Sequence, residues 1–426
     1  MSYVRIVDVI PNELSGLTYG HWNPQFAVNP GNAGEVVIVS EEVQDSTVVR
    51  AVAYSYDYGE DWQMAYFGAY VLDQSAGFGV GGAFYDAVAS NSAAGPVVST
   101  MRTSDPATPS SVGIDPRSLV DQPYLNVNPA NVDRIFLGYN DHSHLPNSAS
   151  VDVGPWLAAP FPPPVRLDPR NPSPCDGYEI RPAMHSNGTV YVVYKSWLSW
   201  DQETVTAAIV VARDDQWGSN GFGDLKDTDN LAGVRVATNV VIFDPQYLGG
   251  QRLDNDLAIA VDPNNSSTVY LAWGDNSTAG QVYRLRVRRS LESGSQSSWS
   301  DDLLTVDNAN LAGLAINDGG TVGFLYQQLV AGPPDVWETH LRRTTDVSGK
   351  NWDDLILART PTVSAQMADY ARITSVGNGF YGAFPALNIP DPANFPNGVK
   401  FLRSTSGAPN RTISYDPSLI PVFKTL

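Results

Sequence analysis

Short runs of alternating or β-branched apolar residues, separated by turn residues, recur along most of this chain. In the repeated unit two such runs flank a turn that contains Asn, Asp or Gly. Alternation with a period of two is the pattern of β-strands, and no long helical period interrupts it. We place copies of this unit at 24–39, 86–89, 123–137, 181–193, 257–271, 311–316 and 371–382.

Seven such units in 426 residues leave about 61 residues for each, which is enough for four short strands and their loops. We therefore predict an all-β chain that folds as a β-propeller of four-stranded antiparallel blades. Seven blades are preferred, and six remain open because the unit at Asp86 lacks a readable outer pair of strands. The chain should form a single domain, 1–426, closed by a terminal strand from 4–10 or 413–415, since closure removes an exposed sheet edge.

A second recurring pattern is Ser-x-Asp-x-Gly-x-x-Trp, which occurs in full at Ser55, Asp57, Gly59 and Trp62. In such a turn the Asp accepts hydrogen bonds from backbone N–H groups, the Gly adopts a positive φ, and the Trp packs beneath the neighbouring strand. Degenerate copies follow other alternating runs, at 212–217, 290–299 and 344–352. This order of strand and turn is expected between the third and fourth strands of a propeller blade.

These repeats resemble the Asp-box (BNR-repeat) propellers of the sialidase-like superfamily, and the resemblance covers most of the chain. It implies a carbohydrate-directed function within a superfamily of sialidases, other glycoside hydrolases, lyases, lectins and non-enzymatic receptors. It also implies that Asp57, Gly59 and Trp62 are structural, because such turns lie on the face opposite the usual active site. Sialidases use three arginines and an Arg-Ile-Pro motif; the nearest segment here, around Arg181, reads Ile-Arg-Pro and departs from it.

Composition narrows the function further. The formal charge of −19 argues against nucleic-acid or anionic-membrane partners and suits a soluble protein that binds a neutral sugar or a cation. Cys175 is the single cysteine, so no intramolecular disulfide can form. The segment 1–5 shows no secretory signal and no transmembrane run follows. We nevertheless expect a secreted or extracellular protein, and we expect a monomer that binds a glycan.

Candidate functional residues lie where the inner strands begin, because these positions open onto one end of the central channel. Alignment of the repeats places Asn23, Gln122 and Asp256 at equivalent starts, and a looser alignment adds Asp86, Arg181, Leu311 and Tyr370. Since the register is uncertain by a residue or two, neighbouring positions are alternatives: Trp22, Asp121, Glu179, Asp254 and Asp369. Polar strand ends would also line any water-filled channel whatever its function.

The loops after the second strands add aromatic and imidazole groups to the same end of the channel. His142 and His144 could bind a metal if a third ligand joined them, although two solvated loop histidines would look the same. The indole faces of Trp22, Trp197 and Trp200 would suit stacking against sugar rings, and packing between loops is the alternative. A Ca²⁺ ion in the channel could be held by oxygen ligands from Asp86, Gln122 and Asp256.

Three functional hypotheses follow. A glycoside hydrolase needs a proton donor and a nucleophile or base, for which Asp86, Glu179 and Asp256 are candidates; Tyr370 could be the nucleophile if a carboxylate such as Glu179 polarised it. The divergence of the blades favours a single asymmetric active site, so we rank this hypothesis first.

The second hypothesis is a polysaccharide lyase acting on a uronic-acid polymer. Arg181 would neutralise the substrate carboxylate, and His142, His144 or Tyr370 would remove the neighbouring proton. The third is a lectin or adhesion propeller without catalysis, although lectin propellers usually repeat near-identical pockets to gain avidity.

Overall fold

The structure of the protein is a computed structural model that describes residues 4–9, 21–44, 47–67, 71–93, 95–108, 114–128, 134–155, 161–170, 177, 179–201, 203–243, 247–253, 256–276, 282–362, 368–387 and 397–405. It contains seven four-stranded antiparallel sheets, arranged as the blades of a β-propeller. The prediction of seven blades is therefore confirmed. Two short 3₁₀ helices, Val80–Gly82 and Gln296–Ser298, are the helical segments of the described residues.

In each blade the strands follow one another from the channel outward. Blade 1 consists of β2 (His21–Val28), β3 (Val36–Gln44), β4 (Thr47–Ser55) and β5 (Gln63–Phe67). Blade 2 consists of β6 (Val71–Phe78), β7 (Phe84–Ser92), β8 (Gly95–Thr103) and β9 (Ile114–Ser118). Blade 3 consists of β10 (Val120–Asn128), β11 (Arg134–Asp141), β12 (Ala149–Pro155) and β13 (Val165–Arg166). Blade 4 consists of β14 (Ile180–Met184), β15 (Val190–Trp200), β16 (Thr204–Asp214) and β17 (Val234–Phe243).

A small hairpin of β18 (Tyr247–Leu248) and β19 (Gln251–Arg252) precedes blade 5. Blade 5 consists of β20 (Leu257–Asp262), β21 (Asn265–Asp275), β22 (Arg284–Ser290) and β23 (Leu304–Asp307). Blade 6 consists of β24 (Ala309–Ile316), β25 (Val322–Val330), β26 (Val336–Thr344) and β27 (Asp353–Pro361). Blade 7 combines β28 (Arg372–Val376), β29 (Gly379–Leu387) and β30 (Asn397–Ser404) with β1 (Val4–Asp8) from the start of the chain.

Strand β1 completes blade 7 by pairing antiparallel with β30, from Val4 opposite Ser404 to Asp8 opposite Lys400. The outer edge of that blade is thereby covered, as expected for a closed ring. The alternative closing segment, 413–415, lies outside the described residues.

The apolar core is divided among the blade interfaces. The buried apolar residues form seven clusters, and one cluster lies between each pair of neighbouring blades. Both faces of most strands are therefore buried, which explains the continuous apolar runs of β3, β15 and β25. The ring is held together by packing between blades as well as by hydrogen bonds within them.

Three of the predicted Trp turns connect third and fourth strands and share one geometry. The indole Nε1 of Trp62 donates to the Gly59 carbonyl oxygen at 3.1 Å. The same bond joins Trp299 to Gly294 at 3.1 Å and Trp352 to Gly349 at 2.9 Å. Each of the three glycines has φ between 66° and 78°, a region in which other residues are strained.

The fourth turn, at 212–217, differs. Asp214 accepts from the backbone N–H groups of Gln216, Gly218 and Asn220, and Trp217 itself has a positive φ of 57°. Asp214 thus accepts the backbone hydrogen bonds expected of the turn, whereas Trp217 does not take the position of the Trp in the other three turns.

The prediction for blade 2 was wrong in one respect. The inner strand is β6, and Asp86 lies on β7, the second strand, where it is 1% exposed. The apolar run that surrounds Asp86 belongs to an interior strand, which has the same pattern as an inner one. The polar sequence of β6, VLDQSAGF, concealed the true inner strand.

Candidate functional site

The inner strands of three blades begin with the same backbone device. Asn23, Gln122 and Leu311 have φ of 52°, 53° and 59°, and the strand register shifts at each of them. These β-bulges re-aim the first residues of the strand at the channel mouth. Of the residues that the looser alignment added, Leu311 shares the backbone conformation of Asn23 and Gln122, whereas Asp86, Arg181 and Tyr370 do not.

A small, partly open cavity of about 30 Å³ lies where these strand starts meet. Its polar lining comes from blades 1, 3, 4 and 7: Gln25, Tyr124, Glu179, Arg181, Asp369, Tyr370 and Arg372. Blades 5 and 6 supply an apolar wall, which includes Leu257 and Leu311.

Arg181 stands at the centre of the polar lining. Its guanidinium carbon lies 4.4 Å from the ring centre of Tyr124 and 5.5 Å from that of Tyr370, and its Nη2 donates to Glu179 at 2.7 Å. Among the described residues Glu179 is its one hydrogen-bond acceptor. Burial alone would lower the pKa of Arg181, but the Glu179 carboxylate and the two tyrosines raise it, so the charge is retained.

Glu179 is shared between two cations. Its second oxygen lies 3.1 Å from the Nζ of Lys195, a lysine that is almost completely buried on β15. Both oxygens of Glu179 thus face cations, and no contact between Glu179 and Tyr370 is found among the described residues.

The partner of Tyr370 is Asp73, on the inner strand of blade 2. The Tyr370 hydroxyl lies beside the Asp73 carboxyl group. Burial, reinforced by the nearby carboxylates of Asp121 and Asp369, raises the pKa of Asp73 well above the usual range of a carboxyl. Burial and the Asp73 charge likewise raise the pKa of Tyr370. The channel mouth therefore contains a carboxyl group that resists ionisation.

Arg372, from blade 7, crosses the channel beneath this cluster. Its guanidinium donates to Gln25 Oε1 at 3.1 Å, to the Ala76 carbonyl at 3.2 Å and to the Leu125 carbonyl at 3.1 Å, which belong to blades 1, 2 and 3. It also lies 4.7 Å from the ring centre of Tyr124. Burial lowers its pKa. These contacts make Arg372 a cross-link between four blades.

Asp256 is buried beside the apolar wall. Its carboxylate accepts from the Tyr283 hydroxyl and from the backbone N–H of Leu311, so both oxygens are occupied. Tyr283 reaches it because Gly274 has no side chain at the point of contact. Burial raises the pKa of Asp256 to about 7. These contacts suit a residue that positions the Leu311 bulge rather than one that contacts a ligand.

Asp86 lies away from the cavity, between blades 1 and 2, where it forms an ion pair with Arg50 of β4. Since Asp86 is bound by Arg50 and Asp256 by Tyr283 and Leu311, they do not converge with Gln122 on one point. The predicted Ca²⁺ ligand set therefore does not form. In the described part of the chain, no group of three or more His, Cys, Asp or Glu residues is arranged to hold a metal ion.

Asn23 and Gln122 are buried at the channel mouth. Asn23 donates to Glu41 at 3.2 Å and accepts from the backbone N–H of Asp369 at 2.7 Å, which fixes the segment that leads to Tyr370. Gln122 has a buried side-chain oxygen without a partner among the described residues. Asn23 thus supports the site from behind.

The residues of the predicted aromatic and histidine rim are dispersed. His142 is half-buried, and His144 is exposed and lies 3.3 Å from the Asp141 carboxylate, which is 8% exposed. Trp197 is buried between blades 4 and 5, whereas Trp200, at the end of β15, is 43% exposed. The backbone of Trp22 lies on β2, while its side chain and Asp254 lie outside the described residues.

The sequence prediction missed Gln25 and Tyr124 in the lining of the cavity and Asp73 beside it. Tyr124 stands two residues after Gln122 and could have been found by extending the same alignment. Asp73 was hidden by the wrong inner strand in blade 2, although Asp-Gln at 73–74 resembles Asp-Gln at 121–122.

Comparison with solved structures identifies carbohydrate-active propellers. A polysaccharide lyase of family PL25, an ulvan lyase, matches with a TM-score of 0.55 and 9% identity, over 93% of this chain and 95% of that chain. An ulvan lyase bound to -[GlcA(1-4)Rha3S]- matches with a TM-score of 0.54 over the same shares and at the same identity. An α-L-arabinofuranosidase from Fusarium graminearum has a TM-score of 0.45 at 9% identity, over 95% of this chain and 98% of that chain. At this identity the likeness to the lyase concerns the fold alone.

No family model matches the sequence. No curated protein matches it either. A search of the described residues finds no helix with the length and apolar character that crossing a membrane requires. The chain is thus a seven-bladed β-propeller whose structural neighbours are carbohydrate-active propellers.

Proposed function

We propose that the protein is a glycoside hydrolase that cleaves a neutral carbohydrate at the channel mouth. The observation that carries this proposal is the environment of the Asp73 carboxyl group. Glycosidic hydrolysis needs one carboxyl that keeps its proton until the leaving oxygen takes it, and a second that is ionised. Asp73 has the first property because burial and two neighbouring carboxylates oppose its ionisation.

Asp73 would act as the general acid, with the Tyr370 hydroxyl holding its carboxyl group in place. The ionised partner would be Asp121 or Asp369, both of which are near enough to act on the pKa of Asp73 and are only partly buried. That partner would activate a water molecule or attack the sugar directly. The remaining N–H groups of Arg181 would bind substrate oxygens.

The charge of the cavity supports a neutral substrate. The charged residues that line the cavity balance: Arg181 and Arg372 against Glu179 and Asp369. An anionic polymer would also be repelled by a protein whose formal charge is −19. A neutral sugar is not repelled and needs no excess of positive charge in the cavity.

A second candidate is a polysaccharide lyase, and one specific observation favours it. The guanidinium of Arg181 is stacked against Tyr370 and keeps N–H groups that no described residue accepts. Such an arrangement could neutralise a uronate while the tyrosine transfers the neighbouring proton. The raised pKa of Tyr370 makes it a poor base at neutral pH, which is why we rank this candidate second.

We also propose that the three Trp turns are Asp-boxes and that the chain is a distant member of the sialidase-like superfamily. The shared Trp-to-Gly hydrogen bond and the position between third and fourth strands support this assignment.

The test is a screen of the purified protein against neutral and uronic-acid polysaccharides, read by new reducing ends and by absorbance near 235 nm. Reducing ends without absorbance would support hydrolysis, and both signals together would support elimination. A protein that gives neither signal but binds a glycan array would be a lectin, and the proposed hydrolase would be wrong.

A further inference from the structure

The hairpin of β15 and β16 forms a rigid projection on the same face as the cavity. Both strands have 11 residues and pair from Val190 opposite Asp214 to Trp200 opposite Val205. The turn at its tip is fixed by Asp201, whose Oδ1 accepts the N–H groups of Glu203 at 3.1 Å and Thr204 at 2.7 Å. These hydrogen bonds order the backbone of the turn.

Trp200 lies at this tip and packs against Trp197. Its ring centre lies 6.4 Å from that of Trp197, which is itself 5% exposed and belongs to the core between blades 4 and 5. Among the tryptophans whose side chains the structure describes, Trp200 is the one that is largely exposed. An exposed indole on a rigid base presents a large apolar face at little cost in conformational entropy.

Exposed apolar side chains on the cavity face occur in blades 3 and 4 and in the connection into blade 3. Four of the exposed large hydrophobic residues lie on this face: Leu119 between β9 and β10, Leu145 between β11 and β12, and Leu198 and Trp200 on β15. The others lie at turns of the opposite face or in the connection between β16 and β17. The exposed apolar surface of the cavity face is thus concentrated on one side of the channel mouth.

Trp200 lies on the same face of the propeller as the cavity. It stands five residues beyond Lys195, the partner of Glu179, along a single strand, which corresponds to roughly 16 Å. A monosaccharide in the cavity could not reach Trp200. A chain of several sugar units extending outward over blade 4 could contact both.

We propose that Trp200, at the tip of this hairpin, is a distal binding site for the carbohydrate chain of the substrate. The inference rests on the proposed function for its chemistry and narrows the substrate class to oligo- and polysaccharides. Trp200 stacks on a sugar ring several units from the cleaved bond, so its contribution depends on chain length. Its loss should not affect a substrate that occupies only the cavity.

The hydrolytic test compares Trp200→Ala with the unmodified protein on arabino-, xylo- and manno-oligosaccharides of increasing length and on an aryl glycoside. We expect kcat/KM to fall about five- to tenfold for the longest substrates, with no change for the shortest. Trp200→Phe should retain most of the activity because it keeps an aromatic face. Leu291→Ala is the matched control, since Leu291 is equally exposed, at 44%, on the opposite face.

A binding test separates this inference from the proposed hydrolysis. Affinity electrophoresis through arabinan, xylan and galactomannan is run with Asp73→Asn, which keeps any polymer intact, and with Asp73→Asn combined with Trp200→Ala. Retardation that disappears in the double variant supports the distal site even if no hydrolysis is seen. Equal retardation of both proteins, no retardation of either, or an equal loss of kcat/KM at every chain length would overturn it.

Discussion

The hydroxyl of Tyr370, at the start of blade 7, lies beside the carboxyl group of Asp73 on the inner strand of blade 2. Blade 1 separates these two blades in the ring, so the contact is made across the channel mouth. It joins the two groups whose pKa values burial raises most clearly at this site. Such coupled titratable groups in a cavity are typical of active sites.

We expect Asp73→Asn to abolish activity on the substrate found in the screen, with a loss of roughly 10²- to 10⁴-fold in kcat. The unmodified protein should lose activity on the alkaline side at a pH above the usual range of a carboxyl, because protonated Asp73 is the active form. The measurement is a pH profile of kcat/KM. An unchanged profile in the variant would remove Asp73 from the mechanism.

The controls for this variant are Tyr370→Phe and the single substitutions Asp121→Asn and Asp369→Asn. Tyr370→Phe keeps the ring that packs against Arg181 and should reduce activity less than Asp73→Asn does. Of the two aspartates, the one that supplies the ionised carboxylate should cost most of the activity when replaced. If neither does, the hydrolytic assignment lacks its second carboxyl group.

Asp256 should make the protein less stable as the pH rises from about 4 to about 7. Its folded pKa, about 7, is raised above the unfolded value, so over this range the folded state binds a proton that the unfolded state releases. The contribution is fully present below pH 4 and amounts to at most about 4 kcal/mol. Urea denaturation across this range should show a smaller pH dependence in Asp256→Asn.

Asn at position 256 can still accept a hydrogen bond from the Leu311 N–H, so the bulge should survive. A pH dependence equal to that of the unmodified protein would show that Asp256 does not titrate in this window.

Replacement of Asp86 should damage stability rather than catalysis. In Asp86→Asn the guanidinium of Arg50, whose side chain is 6% exposed, would lose the Asp86 carboxylate, and removal of one partner from a buried ion pair typically costs about 3–5 kcal/mol. We expect a lower midpoint in urea denaturation, with activity per folded molecule retained. Arg50→Met combined with Asp86→Asn should recover part of the loss. If the Asp86→Asn variant were stable but inactive, Asp86 would have to be assigned to the active site.

Trp62 should have the opposite profile to Asp73. Its ring packs edge-on against Phe401 at 5.2 Å, across the interface of blades 1 and 7 where the ring is closed. Trp62→Ala should therefore lower the free energy of unfolding by about 3–5 kcal/mol while leaving kcat/KM unchanged at a permissive temperature. Trp62→Phe, which keeps an aromatic contact, should lose less. A selective loss of activity would place a functional site on the turn face.

The sequence determined the class of fold because the strand and turn signals are local. A period of two, a turn with a Gly at positive φ, and a Trp at fixed spacing each act within a few residues, and together they located the blade repeats. The same local signals aligned Asn23, Gln122 and Leu311, which do share a backbone conformation. They failed at Asp86, because an interior strand buried on both sides has the same apolar pattern as an inner strand.

The pairing of side chains was decided only by the tertiary structure. The sequence suggested Glu179 as a partner for Tyr370. In the structure Glu179 pairs with Lys195 and Arg181, and the carboxyl group beside Tyr370 is that of Asp73, nearly 300 residues away in sequence. Local patterns locate strand ends, but ring closure brings residues of distant blades to one axis. Charge, burial and pKa at that axis depend on all seven blades together, so no segment of the sequence contains them.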